Sequence, residues 1–279
     1  MSLSIASLNS GSNGNCYYIG NDEEAVLIDA GLSCKETEIR MKRLGLSMSR
    51  VKAVFISHEH SDHIFGLSTL VKKYQIPVYF SDSTLKKAGL GKIREYCLFF
   101  AAHQPIAIGN LRITAFPKKH DACDPHSFVV NSFKINIGIF TDIGAPCDQL
   151  IHYFKQCNAA FLEANYDENM LHNGKYPFHL KKRISGGNGH LSNLQALEIF
   201  KQHRPAFMSH LLLSHLSKEN NSHEIVEGLF NGIYSDTKVI IAGRDCETEL
   251  YPVSAPMAAA PKSFLQRNRT AVKQQLSLF

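Results

Sequence analysis

Short apolar runs separated by polar turns dominate the first half of the chain. Runs of four to eight such residues predict strands, and apolar positions repeating every three to four residues predict helices. The predicted elements are strands at 3–8, 15–20 and 25–29, a helix at 34–45, a strand at 53–57, a helix at 63–74 and a strand at 76–80. Strand and helix alternate after 25, which is typical of a layered α/β protein.

From residue 98 the pattern changes to successive strands and then alternates again. We predict strands at 105–109, 111–116, 126–131, 134–140, 158–162, 206–213 and 237–242, and helices at 165–172, 177–184, 191–202 and 221–232. The strand at 237–242 is the last predicted. Two mixed sheets between helical layers are the architecture that this order favours.

The composition changes near Ser254. Residues 254–279 are poor in branched apolar side chains until the last five, which indicates a flexible surface tail. A chain of 279 residues is long enough for one large core. We therefore expect one catalytic domain over 1–253 and a tail over 254–279.

Charge and cysteine content narrow the class of protein. The formal net charge of +5 suits an anionic substrate but is too small to indicate nucleic acid by itself. Seven cysteines without a Cys-x-x-Cys pair favour a reducing compartment over a disulfide framework or a zinc ribbon. The start of the chain lacks a signal-peptide pattern, and no apolar run is long enough to span a membrane. We expect a soluble, cytoplasmic protein without a membrane partner.

Fourteen histidines, several of them clustered, direct attention to metal chemistry. His58-Glu59-His60-Ser61-Asp62-His63 follows a predicted strand directly. In extended chain, residues two apart point the same way, so His58 and His60 converge on one ion, while Asp62 and His63 face a second. Nitrogen and oxygen ligands suit zinc, manganese or iron better than calcium. The alternative is a solvated polar run at a helix start.

The pattern His-x-His-x-Asp-His is the signature of the metallo-β-lactamase superfamily, which the sequence resembles up to about residue 250. The resemblance implies an α/β fold, a four-layer αββα sandwich. It also implies two divalent ions held by three groups of ligands: His58, His60 and His120; Asp62, His63 and His215; and Asp142 bridging the two.

Two of these assignments have alternatives. Asp29 resembles the family aspartate that supports the metal loop, although an ordinary strand-end aspartate is the other interpretation. His126 lies six residues after His120 and is a rival ligand. His120 is preferred because it ends a predicted strand, whereas His126 begins the next.

Two further segments resemble the ribonuclease Z branch of the superfamily. They are Phe161-Leu162-Glu163-Ala164-Asn165 and His190-Leu191-Ser192-Asn193. The resemblance implies that Glu163 holds His190 protonated so that the imidazole protonates a leaving oxygen. We expect catalytic roles for Asp62, Glu163 and His190. The alternative is that His190 merely precedes a helix while Glu163 ends a strand.

The segment Asn9-Ser10-Gly11-Ser12-x-Gly14-Asn15, together with Ser-His-Leu-Ser at 214–217, most closely resembles the bacterial YycJ/WalJ type, a group associated with 5′-exonuclease activity on DNA. Ser10 is a candidate phosphate contact, and a plain hairpin turn is an equally good interpretation. Neither a long arm nor an inserted domain is present, so substrate recognition falls to the rim of the site. The expected basic contacts there are Lys118, Lys119, Lys182 and Arg183; solvated surface positions are the alternative.

The last five residues predict a partner. Gln275-Leu276-Ser277-Leu278-Phe279 resembles the peptide by which bacterial replication and repair proteins bind the DNA sliding clamp. The expected contact residues are Gln275, Leu276, Leu278 and Phe279. A tail that folds back on its own core is the alternative. Clamp binding would select DNA over RNA as the substrate.

The leading hypothesis is a two-metal phosphodiesterase, a DNA exonuclease acting in replication or repair. Two ions roughly 4 Å apart supply a nucleophile and neutralise a phosphoryl group. Hydrolysis of a small phosphodiester or a thioester, or RNA processing, is the alternative because one fold hosts many reactions. A non-catalytic metal-binding adaptor is the third hypothesis, which the complete ligand set opposes.

Overall fold

The computed structural model of the protein describes residues 2–255. Within this range it contains the following strands: β1 (Ser2–Asn9), β2 (Cys16–Gly20), β3 (Ala25–Ile28), β4 (Val51–Phe55), β5 (Val78–Phe80), β6 (Cys97–Phe99), β7 (Ile106–Ile108), β8 (Leu111–Pro117), β9 (His126–Ser132), β10 (Ile135–Phe140), β11 (Ala159–Glu163), β12 (His210–Ser214), β13 (Lys238–Ile241) and β14 (Tyr251–Ser254). The α-helices are α1 (Cys34–Arg43), α2 (Ser61–Ile64), α3 (Leu67–Tyr74), α4 (Asp82–Ala88), α5 (Asp148–Phe154), α6 (Glu168–Asn173), α7 (Phe178–Ser185), α8 (Asn193–His203) and α9 (His223–Phe230).

The strands form two sheets of seven that pack face to face. Their orders are β14-β1-β2-β3-β4-β5-β6 and β13-β12-β11-β10-β9-β8-β7. Apolar side chains such as Ile5, Phe55, Phe128 and Phe161 fill the space between the sheets. The outer face of the first sheet packs against α1, α3 and α4, and that of the second against α5, α8 and α9. The predicted αββα sandwich is confirmed.

The parallel strands place the site. In the first sheet β3 and β4 are parallel, and in the second β10, β11 and β12 are parallel. Asp29, Asp142 and His215 follow β3, β10 and β12, and all three adopt left-handed backbone with φ of 63°, 55° and 60°. This conformation is uncommon for residues other than glycine and tends to occur at functional sites.

The structure differs from the predicted elements in several places. Helices α4 and α5 and strand β6 were not predicted. The strand at 237–242 is not the last, because β14 follows and pairs antiparallel with β1. Pro252 weakens the strand signal of this segment and is tolerated because β14 lies at a sheet edge. The predicted helix at 63–74 is broken into α2 and α3 at Phe65 and Gly66. A Cβ at Gly66 would lie 1.7 Å from the Leu32 carbonyl oxygen, so the chain bends there against the loop after β3.

No helix in residues 2–255 is long and apolar enough to cross a membrane. Strand β14 includes Ser254, the first residue of the predicted tail. The expected clamp-binding residues Gln275 to Phe279 lie outside the described residues.

Candidate metal centre

Three histidines from two loops form the first part of the site. His58 and His60 follow β4, and His120 follows β8. The Nε2 atom of His58 lies 3.0 Å from Nδ1 of His60, and the His120 ring centroid lies 4.8 Å from that of His58. All three offer a nitrogen within 4.8 Å of the others. His126 packs against Phe100 instead, with its Nδ1 bonded to the Asp124 carbonyl.

A second group lies beside the first. Asp62, His63 and His215 place one ligand atom each within 4.8 Å of one another. Asp142 stands between the two groups: its carboxylate lies 3.3 Å from His63 Nε2, 3.6 Å from His215 Nε2 and 3.9 Å from His120 Nε2. The structure thus brings all seven predicted ligands together in the predicted groups.

Unpartnered atoms test whether this cluster suits metal ions. His120 Nε2, His215 Nε2 and Asp142 Oδ2 are buried and have no hydrogen-bond partner among the described residues. Buried polar atoms are nearly always paired, so three convergent exceptions indicate a ligand. Imidazole and carboxylate donors suit a divalent metal, which this fold implies. The residues fit the ions.

The cluster contains both histidines with a raised pKa and a histidine with a lowered pKa. Burial disfavours the imidazolium form of His215, but Asp142, Asp62 and Glu163 outweigh it and raise its pKa to about 10. Burial likewise opposes protonation of His63, whose pKa is nevertheless held well above its usual value by Asp29, Asp142 and Asp62. Burial lowers the pKa of His120 to about 4. Because a metal ligand must be neutral imidazole, binding of metal would release protons from the first two.

Asp29 supports the ligand loop. Its carboxylate accepts hydrogen bonds from Ser57 N at 2.8 Å, Ser57 Oγ at 2.9 Å and His63 Nδ1 at 2.8 Å. The Nδ1 bond fixes the tautomer that leaves His63 Nε2 for the cluster. The buttressing position that the family resemblance gives Asp29 is the one it occupies.

The turn between β1 and β2 also supports the site, although not by contacting substrate. Ser10 is fully buried, and its hydroxyl accepts the backbone N–H of His215 at 2.7 Å and lies 2.8 Å from the Tyr17 hydroxyl. The predicted phosphate contact at Ser10 does not fit this burial. The neighbouring Asn15 lies 3.2 Å from Asp62 Oδ2 and 3.1 Å from His63 Nε2. Asn15 belongs to a segment with family resemblance, but no role was predicted for it from the sequence.

Glu163 and His190 lie together beside the cluster. Glu163 is fully buried at the end of β11, and its Oε1 accepts from His190 Nδ1 at 2.7 Å and from His215 Nδ1 at 3.0 Å. Its Oε2 accepts the backbone N–H groups of Ile143 and Leu191. Burial opposes ionisation of Glu163, but the two histidines outweigh it and lower its pKa to about 2. The carboxylate therefore orients both a proposed ligand and a proposed proton donor.

The four predicted basic contacts have different environments. Lys118 is buried, and its ammonium donates to the Thr141 carbonyl at 2.7 Å, so a substrate contact does not fit it. Burial lowers the pKa of Lys118, although the carboxylates of Asp142 and Asp29 act in the other direction. Lys119, Lys182 and Arg183 are exposed.

Arg183 leads to another residue that the sequence did not reveal. It forms an ion pair with Asp121 Oδ2, while Asp121 Oδ1 lies 3.4 Å from His120 Nε2. Asp121 directly follows the predicted ligand His120, and no sequence motif marks it. In the structure it links helix α7 to the cluster.

The chain is similar to known proteins in both sequence and structure. Residues 10–89 match the metallo-beta-lactamase superfamily. The chain is 35% identical over 228 residues to the exodeoxyribonuclease YycJ of Bacillus anthracis, covering 81% of this chain and 86% of that one. It is 31% identical over 223 residues to the exodeoxyribonuclease WalJ of Streptococcus pneumoniae, covering 78% and 83%. The crystal structure of the metallo-beta-lactamase fold protein YhfI from Bacillus subtilis superposes with a TM-score of 0.69 at 18% identity, covering 90% of this chain and all of that one.

Proposed function

Because the chain belongs to the metallo-β-lactamase superfamily, and within it to the YycJ/WalJ group, we propose that it is a two-metal exonuclease that hydrolyses DNA from the 5′ end. The superfamily makes it a metal-dependent hydrolase, and the names of its relatives support a nuclease. The observation that carries the proposal is the contact of His190 with the buried Glu163 next to a seven-residue ligand cluster.

The proposed ligands form two sets that share one residue. His58, His60 and His120 would hold one ion, Asp62, His63 and His215 the other, and Asp142 both. Zinc or manganese suits these donors, with iron as a third candidate. When bound, two such ions supply Lewis acidity to a phosphoryl group and a water nucleophile at neutral pH.

The side chains of this protein do the remaining work. Asp62 is the most open of the carboxylates in the cluster, with 20% of its side chain exposed, so we assign it to the substrate side. His190 is 18% exposed, and Nδ1 is its only side-chain atom with a hydrogen bond in the described chain. Its Nε2 is left to donate a proton to the leaving 3′ oxygen. Glu163 fixes the orientation of the ring through its contact with Nδ1 at 2.7 Å.

Two observations support nucleic acid as the substrate: the names of the relatives and the basic residues at the rim of the site. Lys119, Lys182 and Arg183 are exposed close to the ligand loop and His190 and suit a phosphate backbone. Asp121 restrains Arg183, so its guanidinium is already positioned on the rim. We extend the proposal to replication or repair through the clamp-like peptide at 275–279, which lies outside residues 2–255.

The test uses 5′- and 3′-labelled single- and double-stranded DNA and matched RNA, with manganese or zinc. We expect the wild-type protein to shorten DNA from the 5′ end and His60→Ala to lose this activity. Cleavage of RNA alone would overturn the DNA assignment. Hydrolysis of bis(p-nitrophenyl) phosphate without any polynucleotide cleavage would instead identify a small-phosphodiester enzyme.

A further inference from the structure

Helix α7 packs in an unusual way. None of its eight side chains is buried: Leu180, Lys181 and Ile184 are half-buried, and the others are exposed. Phe178, at its first position, is 81% exposed. Short helices in proteins depend on burial of an apolar face. A helix that leaves its largest apolar residue in water is therefore expected to gain a contact when a ligand binds.

A cavity of about 740 Å³ lies against this helix. Its lining includes the buried side chains of Tyr166 and Leu171, with Phe178, Lys181 and Lys182 along its α7 side. Phe178, Lys181 and Lys182 are spaced by three and four residues, so they share one helix face. The volume is within the range of ligand pockets, roughly 300–1,000 Å³.

The cavity adjoins the proposed proton donor. Tyr166 forms a β-bridge with Ser192, and its carbonyl accepts the N–H of Asn193 at 2.8 Å. Ser192 lies two residues after His190, and Tyr166 lies three after Glu163. The cavity is therefore lined by the segments that directly follow Glu163 and His190, so one bound strand could reach both places.

The chemistry of the lining selects the occupant. Aromatic faces interleaved with lysines are how proteins hold single-stranded nucleic acid, since each base stacks on a ring and each phosphate meets a cation. The single acid lining the cavity, Glu168, accepts a hydrogen bond from Ser192 at 3.0 Å. Bases paired in a duplex have no free face for Phe178. We propose that this cavity binds an unpaired stretch of the DNA strand being degraded, with Phe178 as the stacking platform. The proposal rests on the proposed nuclease function.

Binding can be measured apart from catalysis. The protein contains no tryptophan, so Phe178→Trp in a His190→Ala background places a single tryptophan at the cavity, whose emission can be excited selectively over that of the tyrosines. We expect oligothymidylate to quench it and a blunt duplex of equal length to have little effect. The matched control is Phe207→Trp in the same background. Phe207 is 43% exposed just before the start of β12, at the opposite end of that strand from His215, and should show no quenching.

Kinetics provide the second measurement. Phe178→Ala is expected to lower the ratio of kcat/KM for oligothymidylate to that for bis(p-nitrophenyl) phosphate by about 5- to 100-fold, and Phe178→Tyr to restore it. Melting curves check that each variant is folded. An unchanged ratio in a protein that degrades DNA would overturn the cavity assignment alone. Absence of DNA cleavage by the wild type would overturn the nuclease function first. Quenching by duplex as strong as by single strand would also contradict the proposal.

Discussion

A Cβ atom on Gly31 would lie 1.7 Å from the carbonyl oxygen of Asp62. The same oxygen accepts the N–H of Asn15 at 2.7 Å. The loop after β3, the turn after β1 and the ligand loop therefore meet at one point, where only glycine fits. Three segments distant in sequence are fixed relative to one another by this approach.

Gly31→Ala is expected to destabilise the protein by about 1–3 kcal/mol, because backbone must move to admit the methyl group. The shift displaces Asp62, so metal content should fall as well. Gly228 is the control: it lies within α9, and a methyl group there would have no neighbour within 4 Å. Gly228→Ala should stabilise the helix by about 0.5–1 kcal/mol. Urea unfolding and elemental analysis measure both effects. Equal stability changes would contradict the argument.

Removal of metal should lower the melting temperature. Ligands that bind only the folded state stabilise it, and loss of tightly bound ions should lower Tm by on the order of 10 °C. His120→Ala is expected to weaken this response to chelator, because His120 Nε2 is one of the unpartnered atoms and belongs to the ligands of one of the two ions. His126→Ala should retain the response, since His126 lies outside the cluster. A weakened response in His126→Ala but not in His120→Ala would identify His126, instead of His120, as the ligand.

Substitution of His190 and substitution of Glu163 should affect catalysis and metal binding differently. His190→Ala is expected to lower kcat on DNA by about 10²- to 10⁴-fold, the usual contribution of a general acid, with metal content retained. Glu163→Gln should reduce both kcat and metal affinity, because Glu163 also holds His215 Nδ1 at 3.0 Å. Single-turnover kinetics and metal titration separate the two. Loss of metal from His190→Ala would reassign His190 as a ligand.

A surface carboxylate gives a pH-dependent prediction away from the site. Hydrogen bonds from Lys73 Nζ at 2.7 Å and from Tyr74 lower the pKa of Glu38 to about 2. A depressed carboxyl pKa stabilises the fold above the pKa of the unfolded chain, about 4.3, and this stability is lost as pH falls towards 2. Glu38→Gln should therefore be less stable than the wild type at pH 7, with the difference shrinking by pH 3. Urea unfolding of both proteins between pH 3 and pH 7 measures the difference, and a difference that stays constant over this range would contradict the argument.

The peptide at 275–279 predicts capture by the sliding clamp. Leu278→Ala combined with Phe279→Ala should abolish binding to purified clamp and any stimulation of degradation by clamp on primed circular DNA. Ser277→Ala is the control, since the resemblance gives this position no contact. Fluorescence anisotropy of the labelled protein measures the binding. Undiminished affinity in the double variant would refute the role of the peptide.

The sandwich and the positions of the proposed ligands were predictable chiefly from the family resemblance, and the loop after β4 adds a local signal. Each ligand follows an apolar run, and the loop at 58–63 carries four of them within six residues. The roles of Ser10 and Lys118 were not predictable, because both depend on burial by segments distant in the chain. Ser10 meets His215 across the fold, and Lys118 meets Thr141.

Strand β14 was missed for a similar reason. Four residues containing Pro252 give a weak strand signal, and only their antiparallel pairing with the first residues of β1 makes them a strand. Asn15 and Asp121 are single polar residues without a repeating pattern. What they contact is set by loops that fold against one another, and no local rule reports it.

The pairing of β1 with β14 has a consequence for synthesis of the protein. As the ribosome releases the chain, the outer edge of β1 stays open until residues 251–254 emerge. An unpaired strand edge invites association with other chains. His215 also emerges late, so the second group of ligands is incomplete while the first is already available. Closure of the sheet edge therefore follows the release of residues 251–254, and completion of the second group of proposed ligands follows the release of His215.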